Sequence, residues 1–141
     1  MCGIAGFITN NNFSSDKNIH AIKKMIFKLK DRGPDSDGFW ISKDNKVVLG
    51  HSRLSILDLS ITGSQPMISD SGRYVISFNG EIYNHLQIRK KFKLEQFRGS
   101  SDTETLLKCF DIFGLDRTLE IIDGMFSISV WDNKTEELFL I

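Results

Sequence analysis

The chain has 141 residues, 40% of them hydrophobic and 26% charged, with 11 Phe. That describes one ordinary globular domain, large enough to bury a core. Eighteen Lys plus Arg balance eighteen Asp plus Glu. Zero net charge argues against a nucleic-acid or anionic-membrane surface, which would leave a basic excess.

No apolar run approaches the roughly 18 residues needed to span a bilayer, and no charged segment followed by a long apolar stretch marks a secretory signal. The two cysteines, Cys2 and Cys109, sit far apart in the sequence and suggest neither a disulfide framework nor a metal cluster. A reducing cytoplasm is the expected setting, and it would keep a nucleophilic thiol reduced.

Met1-Cys2-Gly3-Ile4-Ala5-Gly6-Phe7 opens the chain. The apolar residues Ile4, Ala5, Phe7 and Ile8, with Gly3 and Gly6 allowing close backbone approach, predict a strand. Removal of Met1 makes Cys2 the amino-terminal residue. Its own α-amine can then accept the thiol proton near neutral pH, the logic of nucleophiles activated by an N-terminal amine. The other reading of Cys2 is a small buried residue, the usual state of a free cysteine.

The polar stretch Thr9-Asn10-Asn11-Asn12-Phe13-Ser14-Ser15 is turn-like. Ser15 or Asp16 can cap a helix whose apolar positions Ile19, Ile22, Met25, Ile26 and Leu29 recur at threes and fours. Lys23, Lys24, Lys28 and Lys30 fall mostly off that stripe and read as a solvated face that also suits the helix dipole. Gly33 is the expected C-cap and Pro34 the stop. Arg32-Gly33-Pro34-Asp35 reads as a surface turn with unusual charge density, and Phe39-Trp40-Ile41 opens a second strand.

Lys46 to Ile56 reads as a strand running into a structured loop, and residues 58–67 form a loop rich in Ser, Thr and Gly with Gln65-Pro66 near its end. Asp70-Ser71-Gly72 is a turn. The alternating segment Arg73 to Phe78 is expected to end at Asn79-Gly80-Glu81-Ile82-Tyr83-Asn84. A short helix covers about His85 to Phe92. A second starts at a capping box, Ser101 to Glu104, buries Leu106, Leu107, Phe110 and Phe113, and ends at Gly114. Cys109 falls inside it as a core residue.

A helical turn with Leu119 and Ile122 follows, then two strands, Met125–Trp131 and Glu137–Ile141, joined by Asp132-Asn133-Lys134-Thr135 as a β-hairpin. Strands at both ends with helices between them give an α+β chain, most simply two sheets face to face with helices outside. The sequence stops inside an apolar strand without a polar cap, so later strands and a further domain are expected to be missing.

Four motifs occur in one order: Cys2-Gly3-Ile4-Ala5-Gly6, Arg32-Gly33-Pro34-Asp35, Gly50-His51-Ser52-Arg53-Leu54-Ser55-Ile56-Leu57-Asp58 and Asn79-Gly80-Glu81-Ile82-Tyr83-Asn84. Together they resemble the class II glutamine amidotransferase domain of asparagine synthetases, over the whole of residues 1–141. The resemblance implies the N-terminal-nucleophile hydrolase fold, two stacked antiparallel sheets between helical layers (αββα), truncated at its C-terminus. It implies hydrolysis of L-glutamine to glutamate and ammonia through a Cys2 thioester. Asn79 and Gly80 are expected to form the oxyanion hole, which needs donors already in place; the residues alone read rather as an Asn-Gly turn.

Arg53 resembles a carboxylate clamp, though alone it would read as a surface arginine. Glu81 and Asp102 match the contacts around the glutamine amine and backbone, and Asp102 also suits a helix first turn. Leu54, Ser55, Ile56 and Leu57 would line the substrate. His20, His51 and His85 read as structural, because the amine already supplies a base.

No spacing resembles a zinc site or a phosphate loop. No metal or cofactor is expected in this domain, with ATP and magnesium acting in an ATP-pyrophosphatase synthetase domain outside this sequence. The expected partners are glutamine, that synthetase domain and a second copy of the chain, with no nucleic acid and no membrane. Two rivals stay open: the same domain serving a different amidating synthetase, and a non-catalytic glutamine-binding module.

Overall fold

The computed structural model describes residues 1–9, 14–56 and 58–141. Among them are two antiparallel sheets and four α-helices, in the order β1 (Gly3–Ile8), α1 (Ser15–Lys28), β2 (Ser36–Ile41), β3 (Val47–Arg53), β4 (Met67–Ile68), β5 (Tyr74–Ile82), α2 (His85–Lys91), α3 (Asp102–Phe113), α4 (Leu115–Ile121), β6 (Gly124–Asp132) and β7 (Glu137–Leu140). The first sheet is ordered β1-β3-β2 and the second β4-β5-β6-β7. The turn expected through Asn10, Asn11, Asn12 and Phe13, and the lining residue Leu57, lie outside the described residues.

Side-chain alternation along the strands builds a layered stack. From the outer face of the first sheet, Val48 meets Ile22 and Ile26 of α1, with Ala5, Phe7 and Ile41 beside them. On the inner face, Val47 and Leu49 meet Val75 and Trp131 of the second sheet, flanked by Trp40 and Leu138. The far face of the second sheet presents Tyr74, Ile76, Phe78, Ile82, Ile128 and Val130 to Leu106, Leu107 and Phe110 of α3. The order helix, sheet, sheet, helix is thus compatible with an αββα arrangement. Each fully buried aliphatic side chain of these layers contributes roughly 1.5–3 kcal/mol of transfer free energy. Cys109 is fully buried inside α3, and burial pushes its thiol up to about 11. No helix among the described residues is long and apolar enough to cross a membrane.

Local signals place most helices where the sequence puts them. In α1, Ile22 and Ile26 are buried while Lys23, Lys24 and Lys28, and Lys30 just beyond the helix, are exposed. The N-cap Ser101 accepts the Glu104 N–H on its hydroxyl at 3.3 Å. The Glu104 carboxylate turns instead to the backbone N–H groups of Arg98 (2.7 Å) and Gly99 (2.9 Å), tying the preceding loop to the helix start.

Three local expectations are corrected. The N-cap of α1 is Ser14, with no side-chain cap bond, and not Ser15 or Asp16. Helix α1 ends with Leu29 as its C-cap, and Gly33 serves a different purpose: a Cβ there would lie 2.2 Å from the Ser52 carbonyl oxygen, so the chain crosses β3 at a distance only glycine permits. Strand β5 does not stop at Asn79. It runs to Ile82, because pairing with β6 continues through Asn79↔Ser127, Gly80↔Phe126, Glu81↔Met125 and Ile82↔Gly124. Cross-strand pairing over this length overrides the turn preference of Asn-Gly.

Candidate active site

The inner faces of the two sheets change character along their length. On β3, the alternate residues Val47, Leu49, His51 and Arg53 face the second sheet. On β5, the facing series is Val75, Ser77, Asn79 and Glu81. The space between them is apolar at the tryptophan end and polar at the other, where a cleft of about 180 Å³ opens. Cys2, Arg53, Leu54, Ser55, Ile56, Asn79, Gly80, Glu81 and Asp102 all line that cleft, so it gathers every described residue singled out from the sequence as a site residue.

Cys2 precedes β1. The register Gly3↔Ser52 carries it to the level of Arg53, on the inner face. Leu54 donates its backbone N–H to the Cys2 sulfur at 3.3 Å, and Arg32 donates from Nε to the Cys2 carbonyl at 3.2 Å. The charge-dense Arg32–Asp35 turn therefore works as a bracket. The Gly33 carbonyl accepts the Ser52 hydroxyl at 2.8 Å, the Asp35 N–H donates to the Arg53 carbonyl at 3.0 Å, and the Asp35 carboxylate accepts the Ser55 N–H at 2.7 Å.

Strand parity decides which backbone groups of β5 face the cleft. Arg73 and Tyr83 pair with Asn133 and Asp123 on the β6 side, so the even-numbered residues of β5 turn their N–H and C=O groups away from β6. The Phe78 N–H is taken by Gln65 Oε1 at 2.6 Å, and the Ile82 N–H by Asp102 Oδ2 at 2.9 Å. Between them, the Gly80 N–H points into the cleft without a partner among the described residues. Its other side is crowded: a Cβ at Gly80 would lie 2.3 Å from the Met125 carbonyl oxygen and 2.5 Å from Phe126 Cα.

Arg53 is 8% exposed and is held by the loop that follows it. Nη1 donates to the Ser60 carbonyl at 2.8 Å, and Nη2 donates to the Asp58 carbonyl in a short contact. Asp58 organises that loop, accepting from the Ser60 N–H (2.9 Å) and hydroxyl (2.6 Å), the Thr62 hydroxyl (3.1 Å) and the Ser100 N–H (3.0 Å). These bonds, the Ser60 hydroxyl first, hold its carboxyl at about 2. A guanidinium carries five donors in a fixed fork, so Arg53 keeps bonding capacity toward the cleft.

Asp102 is buried, and burial raises its carboxyl, opposed by the N–H groups of Ile82 and Thr103 (2.8 Å). Nearby His85 is shifted down, chiefly by burial.

Three cleft residues carry no signal of their own in the sequence. Gln65 and Thr103, whose side chains bond each other at 3.3 Å, sit at the wall, and Gly63 leaves room for the Arg53 guanidinium, which a Cβ would meet at 2.2 Å. The proline after Gln65 and the helix start around Thr103 marked only backbone geometry. Among the described residues no group of three or more His, Cys, Asp or Glu is placed to hold a metal ion.

The layered α+β fold thus gathers a thiol, an unpaired strand-edge N–H and a buried guanidinium in one cleft. Residues 1–141 match the model described as "Glutamine amidotransferase domain", and the chain belongs to that family.

Among curated relatives, it is 37% identical to asparagine synthetase [glutamine-hydrolyzing] 2 of Bacillus subtilis, over 100% of this chain and 18% of that protein. It is 38% identical to a putative asparagine synthetase [glutamine-hydrolyzing] 2 of Methanocaldococcus jannaschii, over 99% and 29%. It is also 33% identical to amidase chry2 of Gibberella zeae, over 98% and 22%. The chain thus spans less than a third of the length of each of these relatives.

Proposed function

We propose that the chain hydrolyses the side-chain amide of L-glutamine, giving glutamate and ammonia, and that it is the N-terminal-nucleophile hydrolase fold the layered stack resembles. Once Met1 is removed, the Cys2 amine takes the thiol proton and the sulfur attacks the amide carbon. The oxyanion that forms accepts from the Asn79 side-chain amide and the Gly80 N–H. Collapse of the tetrahedral species breaks the C–N bond. Ammonia leaves with the proton returned by the amine, and a Cys2 thioester remains. Water attacks the thioester through a second oxyanion, releases glutamate and regenerates the thiol.

Arg53 pairs with the glutamine α-carboxylate. Asp102 and Glu81 take the α-ammonium side, and residues 54–57 line the substrate. The nucleophile, base and donors are all protein atoms, so the reaction calls for no metal or cofactor in this domain.

The observation that carries this reading is the meeting, in one cleft, of the Cys2 sulfur, the unpaired Gly80 N–H and the loop-held Arg53 guanidinium. The names of the relatives support a further step, in which ammonia passes to a synthetase domain of the asparagine synthetase type, where ATP and magnesium would act. A relative that carries another name, an amidase, supports a second reading, in which the same glutaminase domain serves a chain other than an asparagine synthetase.

Intact mass after incubation with a glutamine-like electrophile tests the mechanism. A single adduct mapped to Cys2 and absent in Cys2→Ala is expected; an adduct on Cys109 would overturn the assignment.

A further inference from the structure

His51 has no part in the proton transfers above, yet it is fully buried between the sheets. Its Nε2 lies 3.0 Å from the Phe78 carbonyl oxygen. A carbonyl only accepts, so Nε2 carries the proton and Nδ1 is bare, and Nδ1 is buried with no hydrogen-bond partner among the described residues. Burial chiefly, with the Arg53 charge adding to it, holds the ring down at about 4, so it is neutral at physiological pH.

The placement of this one bond matters more than its strength. His51 sits on β3 two residues before Arg53, and its backbone pairs with Ile4, two residues after Cys2. Phe78 immediately precedes Asn79 and Gly80. At the amide of the same residue, Gln65 Oε1 accepts the Phe78 N–H at 2.6 Å. Both polar groups of Phe78 that turn away from β6 are therefore claimed by side chains instead of by a neighbouring strand. The His51 bond joins the sheet that carries the sulfur to the strand that carries the oxyanion donors.

We infer that His51 is a positioning residue for glutamine hydrolysis, fixing the distance between Cys2 and the donors of Asn79 and Gly80 through the Phe78 carbonyl, with Gln65 bracing the same residue from the loop. This rests on the glutaminase reading. Loss of such alignment, without loss of the donors themselves, is expected to reduce turnover by about 10- to 100-fold.

The test compares His51→Gln, which keeps a donor of similar reach, with His51→Met, of similar volume and no donor, in the Met1-processed chain. Three readouts are taken: kcat, KM for glutamine, and the rate of Cys2 alkylation by iodoacetamide, a reaction that forms no oxyanion. The Met variant should lose about 10- to 100-fold in kcat with KM and alkylation within about threefold of the parent, and the Gln variant should recover most of kcat. If His51→Met melts below the assay temperature, Gln65→Met gives the reading, with the same selective fall in kcat expected.

Unchanged kcat in the donor-free variant, or equal falls in kcat and alkylation, would overturn the inference while leaving the glutaminase reading intact. Absence of Cys2-dependent ammonia release in the parent would overturn that reading itself, and with it this inference.

Discussion

Gly80 lies so close to Met125 that a methyl group on its Cα would sit 2.3 Å from the Met125 carbonyl oxygen. The strand pair is therefore close-packed at the residue whose N–H is the proposed oxyanion donor. Gly80→Ala should push β5 away from β6 and move the N–H out of line. The expected result is a fall in kcat of about 100-fold, the scale of losing one oxyanion donor, with KM for glutamine changed far less. Steady-state ammonia release measures it.

Arg53→Lys should act on binding. The planar fork, fixed by the Ser60 and Asp58 carbonyls, is replaced by a point charge that cannot make bidentate contact. Losing one charge-assisted bond, about 1.5–3 kcal/mol, should raise KM by roughly 10- to 100-fold with kcat within a few-fold, as read from initial-rate curves.

Folding stability should fall on mild acidification because of His51. Its ring is held at about 4 in the fold against 6.5 for the free side chain. The unfolded chain therefore binds a proton first, and the stabilising contribution, complete above pH 6.5, is lost as pH drops toward 4. The span is on the order of 3 kcal/mol. Urea denaturation at pH 7 and pH 4.5 should show a steeper decline for the parent than for His51→Gln, and parallel declines would refute this.

Retention of Met1 should silence the chain. With an amide in place of the Cys2 amine there is no base on the nucleophile's own residue, and buried His51, pinned to Phe78 with its ring held at about 4, is too weak a base to replace it. Protein shown by intact mass to keep Met1 should release no ammonia from glutamine, and removal of Met1 by an aminopeptidase should restore turnover.

Features set by neighbours in sequence were legible in it. The spacing of Ile22 and Ile26 and the Ser101 cap are local devices, and both appear in α1 and α3 as read. The site residues were gathered by motif, and the cleft brings Cys2, Arg53, Asn79, Gly80 and Asp102 to one place.

What escaped depends on partners distant in the chain. Asn79-Gly80 looked like a turn because the pairing with Phe126 and Ser127 that keeps it extended has no local signature. Gln65 and His51 bond to backbone atoms of Phe78, and a peptide group leaves no residue type to be read. The density of charge at Arg32 and Asp35 was visible, but its purpose, holding the Cys2 carbonyl and the Ser55 N–H, appears only once β1 and β3 lie side by side.

The two-residue beat of β3 makes that strand a measuring rod. Val47 and Leu49 seal, His51 pins and Arg53 grips, all on one side, while Val48, Gly50 and Ser52 serve α1 and the Gly33 crossing. Inserting or deleting a single residue here would flip every later side chain to the opposite side, sending the guanidinium toward the helix layer and a serine into the cleft. Natural or engineered length changes can then be accommodated only outside residues 47–53, which makes the distance from hydrophobic seal to arginine a fixed quantity of the machine.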